Sequence, residues 1–343
     1  MNVLSKLEDY LEECKDAEKK KRVLDFYFAV RSFLNIHDIM DENYVIFSEM
    51  MEDGRFQIKL FCVNPAVNLQ NYLEQGNSTI FFSATLLPVH YYKKLLSVEK
   101  DDYAVYAHSS FPQENKFLFI GTDVSTRYTR RGESTYQRFA RYIAVMAEQK
   151  KGNYMAFFPS YKLMDDVWQV YQEEFSSGWV RCICQHASMT EREREEFLEE
   201  FTEESADTLV GFCVMGGIFS EGIDLTQDRL IGAMIVGTGI PQVCNEREIL
   251  KQYFGAEGFD YAYLYPGMNK VLQAAGRVIR TRKDRGTILL MDERFTGRDY
   301  RMLFPREWND AAVCILENVE QQLGAFWKME EKKSTGRKKM PGI

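Results

Sequence analysis

The 343-residue sequence lacks several features that would fix its class at once. Its seven cysteines, Cys14, Cys62, Cys182, Cys184, Cys213, Cys244 and Cys314, include no C-x-x-C pair. A structural zinc site or an iron–sulfur cluster is therefore not supported, and no metal cluster is expected in this chain. An odd, dispersed set of thiols fits a reducing compartment better than a disulfide scaffold. No apolar run approaches the ~20 residues needed to span a bilayer. The N-terminus, MNVLSKLEDYLEECKDAEKKKR, is a charged amphipathic pattern rather than a signal peptide. The expectation is a soluble, cytoplasmic protein without membrane partners. No G-x-x-x-x-G-K-S/T occurs either, so the chain has no loop of its own to cradle nucleotide phosphates.

What is present is a well-furnished core. Hydrophobic residues make up 45% and aromatics 14%, which argues against disorder over most of the length. The net charge of −8 excludes a generally basic surface, though not a local cationic groove. Residues 1–38 read as one or two amphipathic helices, followed by strands at 43–48 and 55–63 flanked by Asp53-Gly54 and Asn64-Pro65. A helix-like AVNLQNYLEQ and a short buried-looking strand, STIFFSATL, come next. From about residue 113 the pattern is regular. Strands KFLFIG, NYMAFFPS, VRCICQH, TLVGFCVM, LIGAMIVGT and GTILLMDE alternate with amphipathic helices at 134–149, 161–175, 189–201 and 245–254, and a longer helical region covers 260–283. Continuous apolar strands between such helices predict an α/β domain, a parallel sheet with helices on both faces. Residues 1–112 hold too few strands for a sheet of their own. The end, KMEEKKSTGRKKMPGI, reads as a frayed polar tail.

Three stretches carry candidate chemistry. In QAAGRVIRTRKDRG, helical spacing puts Gln273, Gly276, Arg277 and Arg280 on one stripe, with Val271, Leu272, Ala275, Val278 and Ile279 facing the core. A solvated face explains the charges but not the glycine, which costs about 1 kcal/mol in a helix interior. A face that approaches a nucleotide explains both, since guanidiniums suit a transferred phosphoryl group. The loop VMGGIFSEGIDL offers backbone freedom at Gly216, Gly217 and Gly222 with Ser220, Glu221 and Asp224 beside it, and taken alone it fits a structural turn better than a ligand site. In FFSATLLP, Ser83 and Thr85 end an apolar run and, taken alone, fit a helix cap. TILLMDER resembles an acidic metal-binding strand, yet no phosphate loop precedes it.

Order and spacing join these pieces. SATL, then GG-x-x-SEGID, then Q-x-x-GR-x-x-R about fifty residues later, resembles superfamily two helicases of the DinG/XPD family over roughly 43–330. The three stretches match motifs III, V and VI, and FFPSY resembles motif IV. Gln185 falls where that family often has a glutamine. DEAD-box RNA helicases differ, with a histidine opening motif VI.

The resemblance implies a division into 1–40, a helical segment returning from an inserted domain; 41–112, the C-terminal remnant of a first RecA-like lobe; 113–330, a second RecA-like lobe; and 331–343, a tail. It implies Arg277 and Arg280 as arginine fingers on ATP with Gln273 beside them, and Gly276, Gly222, Asp224 and Glu221 at the nucleotide. Ser83 and Thr85 would couple the lobes. Phe158 and Ser160, with the basic loop of Arg127, Arg130 and Arg131, would face nucleic acid, a solvated loop being the competing account of the arginines. The expected activity is that of the C-terminal half of an ATP-dependent DNA helicase in repair or replication. Its partners would be ATP, single-stranded DNA and an N-terminal half that carries motifs I and II and holds Mg2+. This fragment alone would be inactive. The alternative is a stand-alone RecA-like module that binds nucleic acid or protein without its own ATPase activity.

Overall fold

Continuous apolar runs become the interior strands of one parallel sheet, as their lack of a polar face requires. The computed structural model describes residues 3–51, 53–99, 101–203, 207–217, 219 and 225–337, with side chains as far as residue 328. In chain order the helices and strands are α1 (Val3–Glu13), α2 (Ala17–Asp38), β1 (Tyr44–Met50), β2 (Phe56–Cys62), α3 (Ala66–Leu73), α4 (Val89–Leu96), β3 (Lys116–Gly121), α5 (Glu133–Gln149), β4 (Asn153–Phe158), α6 (Tyr161–Val170), β5 (Val180–Cys184), α7 (Glu191–Glu199) and β6 (Thr208–Val214). They continue with β7 (Gly232–Val236), α8 (Asn245–Tyr253), α9 (Tyr265–Ala275), β8 (Gly286–Met291), α10 (Arg298–Arg301), β9 (Ala312–Cys314) and α11 (Leu316–Arg337).

The chain divides into two compact units. Met1–Phe82, Val89–Tyr103 and Val243–Gly258 form the first, and Ser83–Pro88, Ala104–Gln242 and Phe259–Ile343 form the second. Helix α8 thus packs within the first unit, although the sequence pattern runs 113–330 as one stretch.

In the first unit, β1 and β2 make a two-stranded antiparallel ribbon with Ile46 opposite Leu60, Ser48 opposite Ile58 and Met50 opposite Phe56. One ribbon face carries Ile46, Met50, Phe56 and Ile58, all exposed. Lys59 pairs with Glu246 of α8 and, at 3.7 Å, with Glu49, while Tyr253 donates to Asn43. The stretch expected as a buried strand at 78–86 is not one. It has no ladder partner, and Ile80 and Phe82 are 81% and 90% exposed. An apolar run becomes a strand only where its backbone groups find a neighbour. Among the described residues, β1 and β2 pair only with each other.

In the second unit seven strands lie in the order β5-β6-β4-β7-β8-β3-β9, every pair parallel. All carboxyl ends therefore share one edge of the sheet and all amino ends the other. Strands β4, β7 and β8 are buried at every residue. They pack with α5 and α6 around Phe139, Tyr142, Tyr154, Phe158 and Phe212. Local signals set the helix starts. Ser160 Oγ accepts the Leu163 N–H at 3.3 Å to open α6, and a reciprocal Thr190–Glu193 capping box opens α7. The backbone stays helical to Arg337, past the point where the polar sequence suggested fraying. Among the described residues no helix is long and apolar enough to cross a membrane.

Candidate functional site

The motif VI stretch does not form one helical stripe. Helix α9 ends at Ala275, and Gly276 is its C-cap with φ −66° and ψ −3°. The Arg277 and Val278 amides close onto Ala274 and Ala275 carbonyls at 3.3 Å, and the chain then leaves helical geometry. Gln273 sits half-buried in the last helical turn, Gly276 is exposed, Arg277 half-buried and Arg280 exposed. The reason lies four residues beyond Arg280. Asp284, 3% exposed, takes the Arg280 and Thr281 amides on Oδ2 at 2.7 and 2.8 Å and the Thr281 hydroxyl on Oδ1. Those two amides cannot then continue the helical ladder. Oδ1 also receives the Gln227 amide at 3.3 Å, from a residue held at φ +57°.

Val278 packs onto the amino end of β8, where a Cβ at Gly286 would lie 2.3 Å from its Cγ1. Gln227 opens a short 3-10 turn, Gln227–Arg229, that leads into β7, the neighbour of β8. The turn carrying Arg277 and Arg280 and the end of the motif V segment thus meet at the amino edge of the sheet. Glu221, Gly222 and Asp224 lie outside the described residues. The described start of that segment is fixed at the opposite edge. Gly216 turns at φ +71° with Lys270 of α9 so close that a Cβ would meet its Cε at 2.8 Å. Gln185, 4% exposed, accepts the Val214 amide at 2.8 Å and donates to the Tyr161 hydroxyl at 2.9 Å.

The fold makes only a modest demand for glycine at 276. Its φ is ordinary, and a Cβ there would meet only the Leu272 and Gln273 carbonyl oxygens, at 3.2 and 3.6 Å. Bare backbone beside two guanidiniums is a donor set that fits the phosphate end of a nucleotide. Among the described residues no group of three or more His, Cys, Asp or Glu side chains could hold a metal ion.

Phe158, Ser160 and the arginines of the basic loop lie at the carboxyl edge. Ser160 caps α6 there. Phe158 ends β4 but is fully buried and stacks on Phe212 at 5.8 Å, so its ring belongs to the core rather than to a nucleic-acid surface. The arginines of the basic loop are not bare charges. Arg127 and Arg130 both reach Glu293, at 3.7 and 2.7 Å, and Arg131 donates to the Thr126 carbonyl at 3.1 Å. Arg131 also lies over the ring of Tyr128, which is 87% exposed. A cleft of about 340 Å³ joins Tyr128, Arg131 and Tyr136 to Lys162 and Asp166. Composition alone did not single out Tyr128 or Lys162, because their nearness depends on two helices starting side by side. Ser83 and Thr85 hydrogen-bond to one another at 3.3 Å.

Beneath this loop Asp292, fully buried, binds Arg294 and takes the Thr126 amide and hydroxyl at 2.8 and 3.0 Å. Burial pushes its pKa up, but the Arg294 hydrogen bonds and charge outweigh it and hold the carboxyl below its ordinary value.

A seven-stranded parallel sheet flanked by helices, with motif turns at both edges, is a RecA-like lobe. Residues 143–311 match the helicase C-terminal domain family. The chain is 25% identical over 303 residues to the ATP-dependent DNA helicase XPD of Sulfolobus acidocaldarius, an alignment covering 84% of this chain and 51% of that protein. It is 28% identical over 263 residues to the regulator of telomere elongation helicase 1 homolog of Drosophila melanogaster, covering 69% of this chain and 26% of that one. A solved XPD helicase structure shares the fold with a TM-score of 0.61 at 22% identity, over 92% of this chain and 56% of that one. Residues 143–311 thus match a helicase C-terminal domain, the chain as a whole is similar to XPD-type helicases, and it spans about half the length of the Sulfolobus relative.

Proposed function

We propose that this chain is the motor lobe that completes, from across a cleft, the ATP site of a DNA helicase. The phosphate loop, the acidic box and Mg2+ would be supplied by an N-terminal half of the same polypeptide. The observation that carries the reading is the position of Arg277 and Arg280. They stand on a turn at the amino edge of the sheet, beside bare backbone at Gly276 and opposite the edge where open α/β sheets bind their own ligands. Such a turn can offer guanidiniums to a nucleotide held by another domain, but it provides no cradle. With ATP bound, the metal and the phosphate loop would neutralise the triphosphate. Arg277 and Arg280 would meet the charge that develops on the γ-phosphoryl group, with Gln273 a hydrogen-bonding neighbour.

The carboxyl edge is the proposed track for single-stranded DNA. Backbone phosphates would meet Arg131, Lys162 and the amino end of α6, and a base would stack on Tyr128. The segment between β6 and β7 joins the carboxyl edge to the amino edge, because both strands point the same way. Motif V would thereby couple strand movement to nucleotide state. The exposed face of the β1–β2 ribbon fits the same reading, since a lone two-stranded ribbon is marginal and the archaeal relative has a further half-length to cover it. The direct test compares DNA-stimulated ATP turnover by the purified chain and by the full-length protein. Turnover by the full-length protein alone supports the proposal, and comparable turnover by the isolated chain contradicts it.

A further inference from the structure

We infer that Asp284 is a positioning residue that sets Arg280 for catalysis and ties it to the motif V segment, an inference that rests on the proposed role of Arg280. Asp284 is nearly inaccessible, and its two oxygens collect four donors from two separate loops. Three come from Arg280 and Thr281, and one from Gln227, which ends the segment leading from motif V. The bond to Arg280 is made at its own backbone amide, at 2.7 Å, so the carboxylate fixes the Cα from which the guanidinium projects. The bond to Gln227 holds a non-glycine residue in the left-handed region, a conformation kept only where surrounding bonds enforce it.

A shift of either loop is therefore felt by the other through one carboxylate. An amide in its place keeps one acceptor oxygen and turns two donor hydrogens toward the N–H groups, so the arrangement cannot survive Asp284→Asn intact. This differs from a role in bulk stability. If Asp284 acts through Arg280, its loss should matter only while Arg280 is there to be aimed.

The experiment is a double-mutant cycle on ATP turnover with single-stranded DNA in the full-length protein. Asp284→Asn should lower kcat about tenfold with KM for ATP within about threefold, the pattern of a lost transition-state contact. Thr281→Val, which removes one donor and disturbs folding least, should lower it about threefold. In an Arg280→Lys background, both changes should cost less than about twofold. A folded Asp284→Asn protein with near wild-type kcat overturns the inference, and so does an undiminished loss in the Arg280→Lys background. If Asp284→Asn does not fold, Thr281→Val decides by the same comparison. Wild-type turnover in Arg280→Ala would instead overturn the assignment of Arg280 itself, and so would be told apart.

Discussion

Arg294 grips Asp292 through two hydrogen bonds, Nε to Oδ1 and Nη2 to Oδ2, each 2.8 Å long. Asp292 is fully buried, and the same guanidinium reaches Thr126 Oγ1 at 2.7 Å. The pair therefore fastens the end of β8 to the loop after β3 that carries Arg127, Arg130 and Arg131. Removing one partner of a buried pair leaves an uncompensated charge and costs about 3–5 kcal/mol. Arg294→Ala should lower stability by that order in urea titrations and quicken amide exchange over 124–131. Arg294→Lys, which keeps the charge but not the fork, should restore only part of the loss.

The same carboxyl gives a pH signature. The folded-state pKa of Asp292 lies below its ordinary value of 3.8, so its contribution is complete above that value. It disappears as pH falls through the folded-state pKa. The urea midpoint of the wild-type chain should drop below about pH 4 more steeply than that of Asp292→Asn, whose curve lacks this component. Parallel acid limbs would contradict the assignment.

Thiol reactivity should follow burial. Burial pushes Cys182 up to about 11 and Cys184 and Cys314 up to about 12, so at pH 8 about one in a thousand of these thiols or fewer is thiolate. Cys244 is exposed. Timed iodoacetamide labelling read by peptide mass should modify Cys244 first, and Cys182, Cys184 and Cys314 chiefly after denaturation. Equal labelling rates would show that β5 opens far more readily than its packing allows.

At the carboxyl edge, Arg131→Ala and Lys162→Ala should each weaken single-strand binding and reduce the slope of log affinity against log salt by about 0.7. Tyr128→Ala should weaken binding by about 1–3 kcal/mol with the slope unchanged, as expected for a stacking ring. Fluorescence anisotropy across a salt series separates the two behaviours. Unchanged binding in all three variants would move the track elsewhere.

The strands of the sheet domain were legible because they are buried on both faces. KFLFIG coincides with β3, and the runs that became β4 to β8 overshoot by a few residues at most. Strand β9 is three residues long, too short to leave a pattern. STIFFSATL misled because apolarity marks burial only when a partner exists. The motif VI stretch was expected to continue as one helix, but α9 ends at Ala275. That end depends on Asp284 reaching back across four residues to the Arg280 amide, which periodicity does not register. Phe158 was misplaced because its motif runs from a core strand into a loop, and the boundary falls just after it.

The proposed ATP site depends on two side chains in the turn just beyond α9, Arg277 and Arg280. Its central test is the rate of DNA-stimulated ATP hydrolysis by full-length Arg277→Ala and Arg280→Ala, with circular dichroism confirming that each is folded. Arginine fingers contribute roughly 10³–10⁵ in rate, so both variants should fall by at least about a thousandfold. Folded variants that turn over ATP at near wild-type rates would contradict it.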